Sequence, residues 1–179
     1  MKRILIMCEG PNEKKIIDIL LTNGCLKLSK DDLLGLTPFH ARQISTSGQV
    51  RAELNIFPGT VDVYRIGDTQ SDRLIIPKDY RDKIEEVHKY CTKPELEMLL
   101  IIAEGLEKEY EKVKSNVSPK EFAKGHIKLG KKRYDNSSKF YEQYFANNVD
   151  LLVDSIKRYK ALKGKGHSKD ELCLAELLK

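Results

Sequence analysis

Ile4-Leu5-Ile6-Met7-Cys8-Glu9-Gly10-Pro11-Asn12-Glu13 reads as a short buried strand, a corner and the first turn of a helix. The continuous apolar run is the signature of a strand covered on both faces, as in a parallel sheet. The helix continues from about Asn12 to Thr22, buries Ile16, Ile17, Ile19, Leu20 and Leu21, and stops at Asn23-Gly24. Strand, corner, helix is the opening of an open α/β sheet. In such a sheet a carboxylate just past the first strand, here Glu9, stands in the crevice where ligands bind.

Working outward, Thr60–Gly67 (TVDVYRIG) alternates and is rich in β-branched and aromatic residues, so it is the second strand. It leads into Asp68-Thr69-Gln70-Ser71-Asp72. Between the two strands, residues 31–36 form a short helical turn, Gln43-Ile44 suits a strand, and residues 49–57 have weak helical periodicity. After Pro77, Ile84 and Val87 stand three apart and predict a helix over residues 78–90. Three capping boxes signal later helices, at Thr92-x-x-Glu95, Ser118-x-x-Glu121 and Ser168-x-x-Glu171. Pro119 stands at the first helical position of the second. Further helices are expected at residues 138–146 and 149–162, with Gly164-x-Gly166 as a stop. The carboxyl-terminal half therefore reads as nearly all helix. The division expected is an α/β domain over residues 1–110 and a basic helical extension over 111–179 packed on the same core.

At 179 residues and 40% hydrophobic content, the chain is long enough to bury a core. No apolar run approaches the length of a membrane span, and the run of four before the corner, Ile4-Leu5-Ile6-Met7, is too short for a secretory signal. A cytoplasmic location with reduced thiols is expected, since Cys8, Cys25, Cys91 and Cys173 form no C-x-x-C pair. His88-x-x-Cys91 is the only close His/Cys pair and reads as a helix end rather than a zinc site. There is no G-x-S-x-G, and the corner lacks the glycines of a phosphate-binding loop.

The net charge of +5 is concentrated. Residues 112–139 hold nine Lys and Arg against two acids, the footprint of a nucleic-acid binder or of a solvated lysine-rich helix face. Among these, Lys124, Lys128, Lys131, Lys132 and Arg133 are the candidates for phosphate contacts.

The acids fall into three groups: Glu9 after strand one, Asp68 with Asp72 after the later strand, and Glu95 with Glu97 before the apolar run Met98–Ala103. Glu13 reads as a solvated first-turn residue favoured by the helix dipole, and Glu95 as part of its capping box. Asp72 reads either as a metal ligand or as the cap of a turn. Glu97 opens a helix that should be buried, where a carboxylate needs a partner such as Arg65 or Arg42, or a cation. Carboxylates meeting at adjacent strand ends repel one another, and a hard divalent cation, Mg2+ or Mn2+, relieves this and supports phosphodiester cleavage.

The segment from Ile4 to Glu13 resembles the first motif of Toprim domains, an apolar strand followed by Glu-Gly and an acidic helix start. Such domains occur in topoisomerases, primases, and the overcoming-lysogenization-defect and RloB-like nucleases associated with phage defence. The resemblance covers roughly the first 105 residues. It implies a mostly parallel sheet flanked by helices, with Glu9 as catalytic acid or base and an Asp pair after a later strand as Mg2+ ligands. Asp68 and Asp72 stand where that pair should be, with a spacing of four in place of two. The Leu96-Glu97-Met98-Leu99-Leu100 segment is similar to an apolar helix of RloB-like proteins and singles out Glu97. The function implied is a metal-dependent nuclease acting on DNA or RNA. The alternative is a non-catalytic subunit of a defence or regulatory system that binds nucleic acid or a protein partner.

Overall fold

The computed structural model describes residues 1–68, 73–92, 95–163 and 171–179. Strand β1 (Lys2–Cys8) passes through the corner into helix α1 (Pro11–Thr22), with Pro11 at the first helical position, where its missing N–H costs nothing. A two-residue strand β2 (Phe39–His40), helix α2 (Gly48–Ile56) and strand β3 (Thr60–Gly67) follow. Strand β4 (Ile84–Cys91) leads to α3 (Met98–Ala103), α4 (Glu107–Val113) and α5 (Pro119–His126). A hairpin of β5 (Lys128–Leu129) and β6 (Lys132–Arg133) precedes α6 (Ser138–Phe145), α7 (Val149–Lys163) and β7 (Glu171–Cys173).

The fold is α/β. Five strands form one sheet in the order β2-β1-β3-β4-β7, every neighbouring pair parallel. The chain runs outward from β1 to β2, then returns past β1 to β3 and continues the other way. The switch in direction therefore falls between β1 and β3, which places a crevice at their carboxyl ends. Strand β1, paired on both sides, explains its unbroken apolar run.

Each face of the sheet has its own core. Leu5, Met7, Val61, Val63 and Ile84 pack with Val50 and Leu54 of α2 on one side. Ile6, Cys8, Ile66 and Tyr90 lie on the other, against Ile16, Ile17 and Leu20 of α1 and the aromatic residues Phe140, Tyr141 and Phe145 of α6. The carboxyl-terminal segment shares this second core and supplies the fifth strand, β7.

Four sequence expectations are corrected. The expected helix over residues 78–90 is a single 3-10 turn at Lys78–Tyr80 followed by β4. The cause is a β-bulge: Ile84 pairs with Val61 and Val87 with Val63, so two residues of β4 oppose Asp62 alone. One inserted residue turns the period of two into a spacing of three, which reads as helical. The strand expected at Gln43-Ile44 lies earlier, at Phe39–His40. The capping box at Thr92-x-x-Glu95 does not form: α3 starts at Met98, the Thr92 hydroxyl has no hydrogen-bond partner, and Glu95 caps another helix. Finally, Glu171 opens a strand and not a helix, so the carboxyl-terminal half is helical with strands among its helices. Gly164, Gly166, Ser168 and Asp72 lie outside the described residues.

Candidate metal centre and adjoining basic hairpin

Glu9 follows β1 directly, and its backbone N–H donates to the Ile66 carbonyl at 2.8 Å, carrying the β1–β3 pairing one residue past the strand. Its side chain is only 13% exposed and Oε1 pairs with Arg42 Nη2 at 3.2 Å. Gly67, at the end of β3, makes room for it. A Cβ on Gly67 would lie 2.3 Å from Glu9 Oε2 and 2.6 Å from its Cβ, so no larger residue fits without displacing the carboxylate.

Glu13 comes back to the same crevice one helical turn later. Burial pushes its carboxyl up to about 7, reinforced by the charges of Asp68, Glu9 and Glu97 and opposed by its backbone hydrogen bond. The expectation of a solvated first-turn residue is thereby corrected. The local dipole argument holds, but it omits the acids that β1, β3 and the start of α3 bring alongside. Glu95 belongs to the same neighbourhood: burial first, then Glu97 and Asp68, raise its carboxyl against the Lys120 backbone N–H, which donates to Glu95 Oε2 at 2.8 Å.

Glu97 is 6% exposed. Its identified partner is neither Arg65 nor Arg42 but Tyr134, whose hydroxyl donates to Glu97 Oε1 at 2.7 Å and lies 3.1 Å from the Tyr141 hydroxyl. With its amide nitrogen turned toward Glu97, Asn136 donates to the same oxygen at 3.2 Å and accepts from Lys120 Nζ at 2.9 Å. The donors that meet this buried carboxylate are thus neutral ones, a hydroxyl and an amide. Tyr134 was the less visible member in the sequence, a lone aromatic directly after Lys132-Arg133.

The carboxylates of Glu9, Glu13, Asp68 and Glu97 thus gather at the switch point from the ends of β1 and β3 and the starts of α1 and α3. The donor set is all oxygen, which suits Mg2+ or Mn2+ better than a softer ion. Among the described residues, only Asp62, Glu86 and His88 bring three donor atoms within 4.8 Å of one another. The crevice acids are therefore neighbours that act on each other by charge, set wider than direct ligation of one ion by three of them. Asp72, the remaining candidate ligand, lies outside the described residues.

The basic residues adjoin this crevice through Tyr134. Lys124 is on α5, Lys128 on β5, Lys131 in the turn, and Lys132 and Arg133 on β6, all exposed. Four of the five form a hairpin wing, and only Lys124 lies on a helix. Tyr134, the next residue, anchors the base of the wing, since its N–H donates to Ile127 at 3.0 Å while its hydroxyl holds Glu97. Lys132 is also paired with Asp135 at 3.0 Å.

Among the described residues no helix is long and apolar enough to cross a membrane. No family model matches the chain, and no curated protein or solved structure matches it.

Proposed function

We propose that the protein is a metal-dependent nuclease that hydrolyses phosphodiester bonds in nucleic acid, with a Toprim-like site. The observation that carries this reading is the gathering of Glu9, Glu13, Asp68 and Glu97 at the β1–β3 switch point, close enough for their charges to add to the burial that raises Glu13 to about 7. Mg2+ or Mn2+ would be held among Glu9, Asp68, Asp72 and Glu97 partly through its own waters, as Mg2+ commonly is, and would supply charge stabilisation at the phosphoryl oxygen and an activated water. Glu9, paired with Arg42 at 3.2 Å, would take the proton of the attacking water. Tyr134 and Asn136 keep Glu97 oriented. The basic wing grips the phosphate backbone, a sequence-independent contact that positions without specifying. A setting in phage defence follows only from the resemblance of the first motif.

A second reading has its own support. The crevice acids do not close to a three-donor cluster, and Glu9 already has a guanidinium partner. These observations favour a non-catalytic subunit that uses the wing to bind nucleic acid or a protein. The deciding experiment is cleavage of DNA and RNA with Mg2+ or Mn2+ by wild type and by Glu9→Gln. Metal-dependent cleavage that falls at least a hundredfold in the variant supports the nuclease. Equal activity in both rejects it, and binding without cleavage selects the second reading.

A further inference from the structure

The β4 bulge builds a second constellation far from the crevice. Because two residues of β4 oppose Asp62, Glu85 and Glu86 both come alongside that one aspartate, and His88 follows Glu86 on the same face. Donor atoms of Asp62, Glu86 and His88 all lie within 4.8 Å of one another. Asp62 precedes Asp68 by six residues of largely extended chain, about 20 Å at the rise of a strand, so this is not the crevice site.

The surroundings leave one donor unanswered. Lys2 Nζ takes Asp62 Oδ2 at 2.9 Å and Glu85 Oε2 at 2.7 Å. The other oxygen of the same carboxylate, Oδ1, is buried and has no hydrogen-bond partner. A buried carboxylate oxygen left this way is costly, and a bound cation is one way to satisfy it. On the opposite side His88 Nε2 and Glu86 Oε2 meet at 2.9 Å. The His88 ring is held edge-on by Tyr64, with centroids 5.1 Å apart and planes at 82°. One oxygen of Asp62 is thus steadied by Lys2 and the imidazole by Tyr64, the kind of outer support that orients metal ligands.

We propose that Asp62, Glu86 and His88 form a site for a divalent transition metal of the Zn2+ or Co2+ class. An imidazole with two carboxylates prefers such ions over Mg2+. Three protein ligands leave a position for water, and tetrahedral coordination at about 2.0–2.2 Å would set the donors about 3.3 Å apart, against 2.9 Å for Glu86–His88 and at most 4.8 Å across the set at present. The metal replaces the Glu86–His88 pairing and fills the place beside Asp62 Oδ1. It ties β3 to β4 across the bulge. His88 serves here with Glu86 and Asp62 and not with Cys91, which lies three residues on and, by the alternation of a strand, on the other face.

The test is Co2+ titration followed by visible absorption, with Zn2+ as competitor, on wild type, Glu9→Gln, His88→Gln and Asp62→Asn. One Co2+ with tetrahedral d–d bands is expected in wild type and unchanged in Glu9→Gln, whereas His88→Gln and Asp62→Asn each bind at least tenfold more weakly. Equal Co2+ affinity in wild type and His88→Gln overturns the proposal, as does loss of the bands in Glu9→Gln alone, which would place the ion in the crevice. Should a variant fail to fold, the imidazole proton resonances of wild type decide. Zn2+ must shift the His88 signal, and an unmoved His88 signal overturns the site. The nuclease reading is untouched by either result.

Discussion

Glu9 and Gly67 share one volume at the carboxyl ends of β1 and β3: a Cβ on Gly67 would stand 2.3 Å from Glu9 Oε2. The missing side chain is what lets the carboxylate lie across the end of the neighbouring strand. Gly67→Ala is expected to cost about 1–3 kcal/mol through overpacking and to push Glu9 out of the crevice. Mn2+ affinity, read by calorimetry, and metal-dependent cleavage should both fall at least tenfold while the circular dichroism spectrum is kept. A variant with full Mn2+ affinity would show that Glu9 is not held by this contact.

Glu13 makes stability depend on pH. Its carboxyl is raised from 4.5 to about 7 in the folded chain, so between those values the folded state holds a proton that the unfolded state has released. Stability therefore declines as pH rises through the window. The loss amounts to roughly 3 kcal/mol. Glu13→Gln removes this slope, leaving the variant similar to wild type near pH 4.5 and more stable near pH 8 in urea unfolding. Parallel pH profiles for the two proteins would mean that Glu13 is not crowded.

Tyr134 ties the basic wing to Glu97. Removing its hydroxyl leaves a buried carboxylate short of its main donor, at a cost of about 1–3 kcal/mol. Tyr134→Phe should lower the midpoint of urea denaturation accordingly, whereas Tyr144→Phe, which loses the partner of the exposed Glu104, should cost less. Equal losses in the two variants would deny Glu97 its buried character.

The wing should announce itself in salt dependence. Each phosphate contact to duplex DNA contributes a slope of about −0.9 in log K against log salt. Replacing Lys131 and Arg133 by Ala is expected to flatten the slope by nearly two and to weaken all sequences alike. Fluorescence anisotropy across a salt series measures it. A slope unchanged by both substitutions would remove the hairpin from the interface.

The elements legible in the chain are those whose evidence is local. The apolar run before Glu9, Pro11 after it, the alternation of Thr60–Gly67 and the Ser118/Glu121 capping box each depend on neighbours a few residues away, so period and cap chemistry recover them. From these came the parallel α/β sheet and Glu9 at its crevice. Strand β4 reads as a helix because the bulge against Asp62 spaces Ile84 and Val87 by three, a spacing created by pairing with another strand. Glu13 and Glu95 read as dipole and cap for the same reason. Within the sequence each is explained by its own turn, and only packing sets Asp68, Glu9 and Glu97 beside Glu13 and the amide of Lys120 against Glu95. The chain alone names the strand, the corner and the acid; long-range contacts, which cost no local signal to form, choose the company that acid keeps.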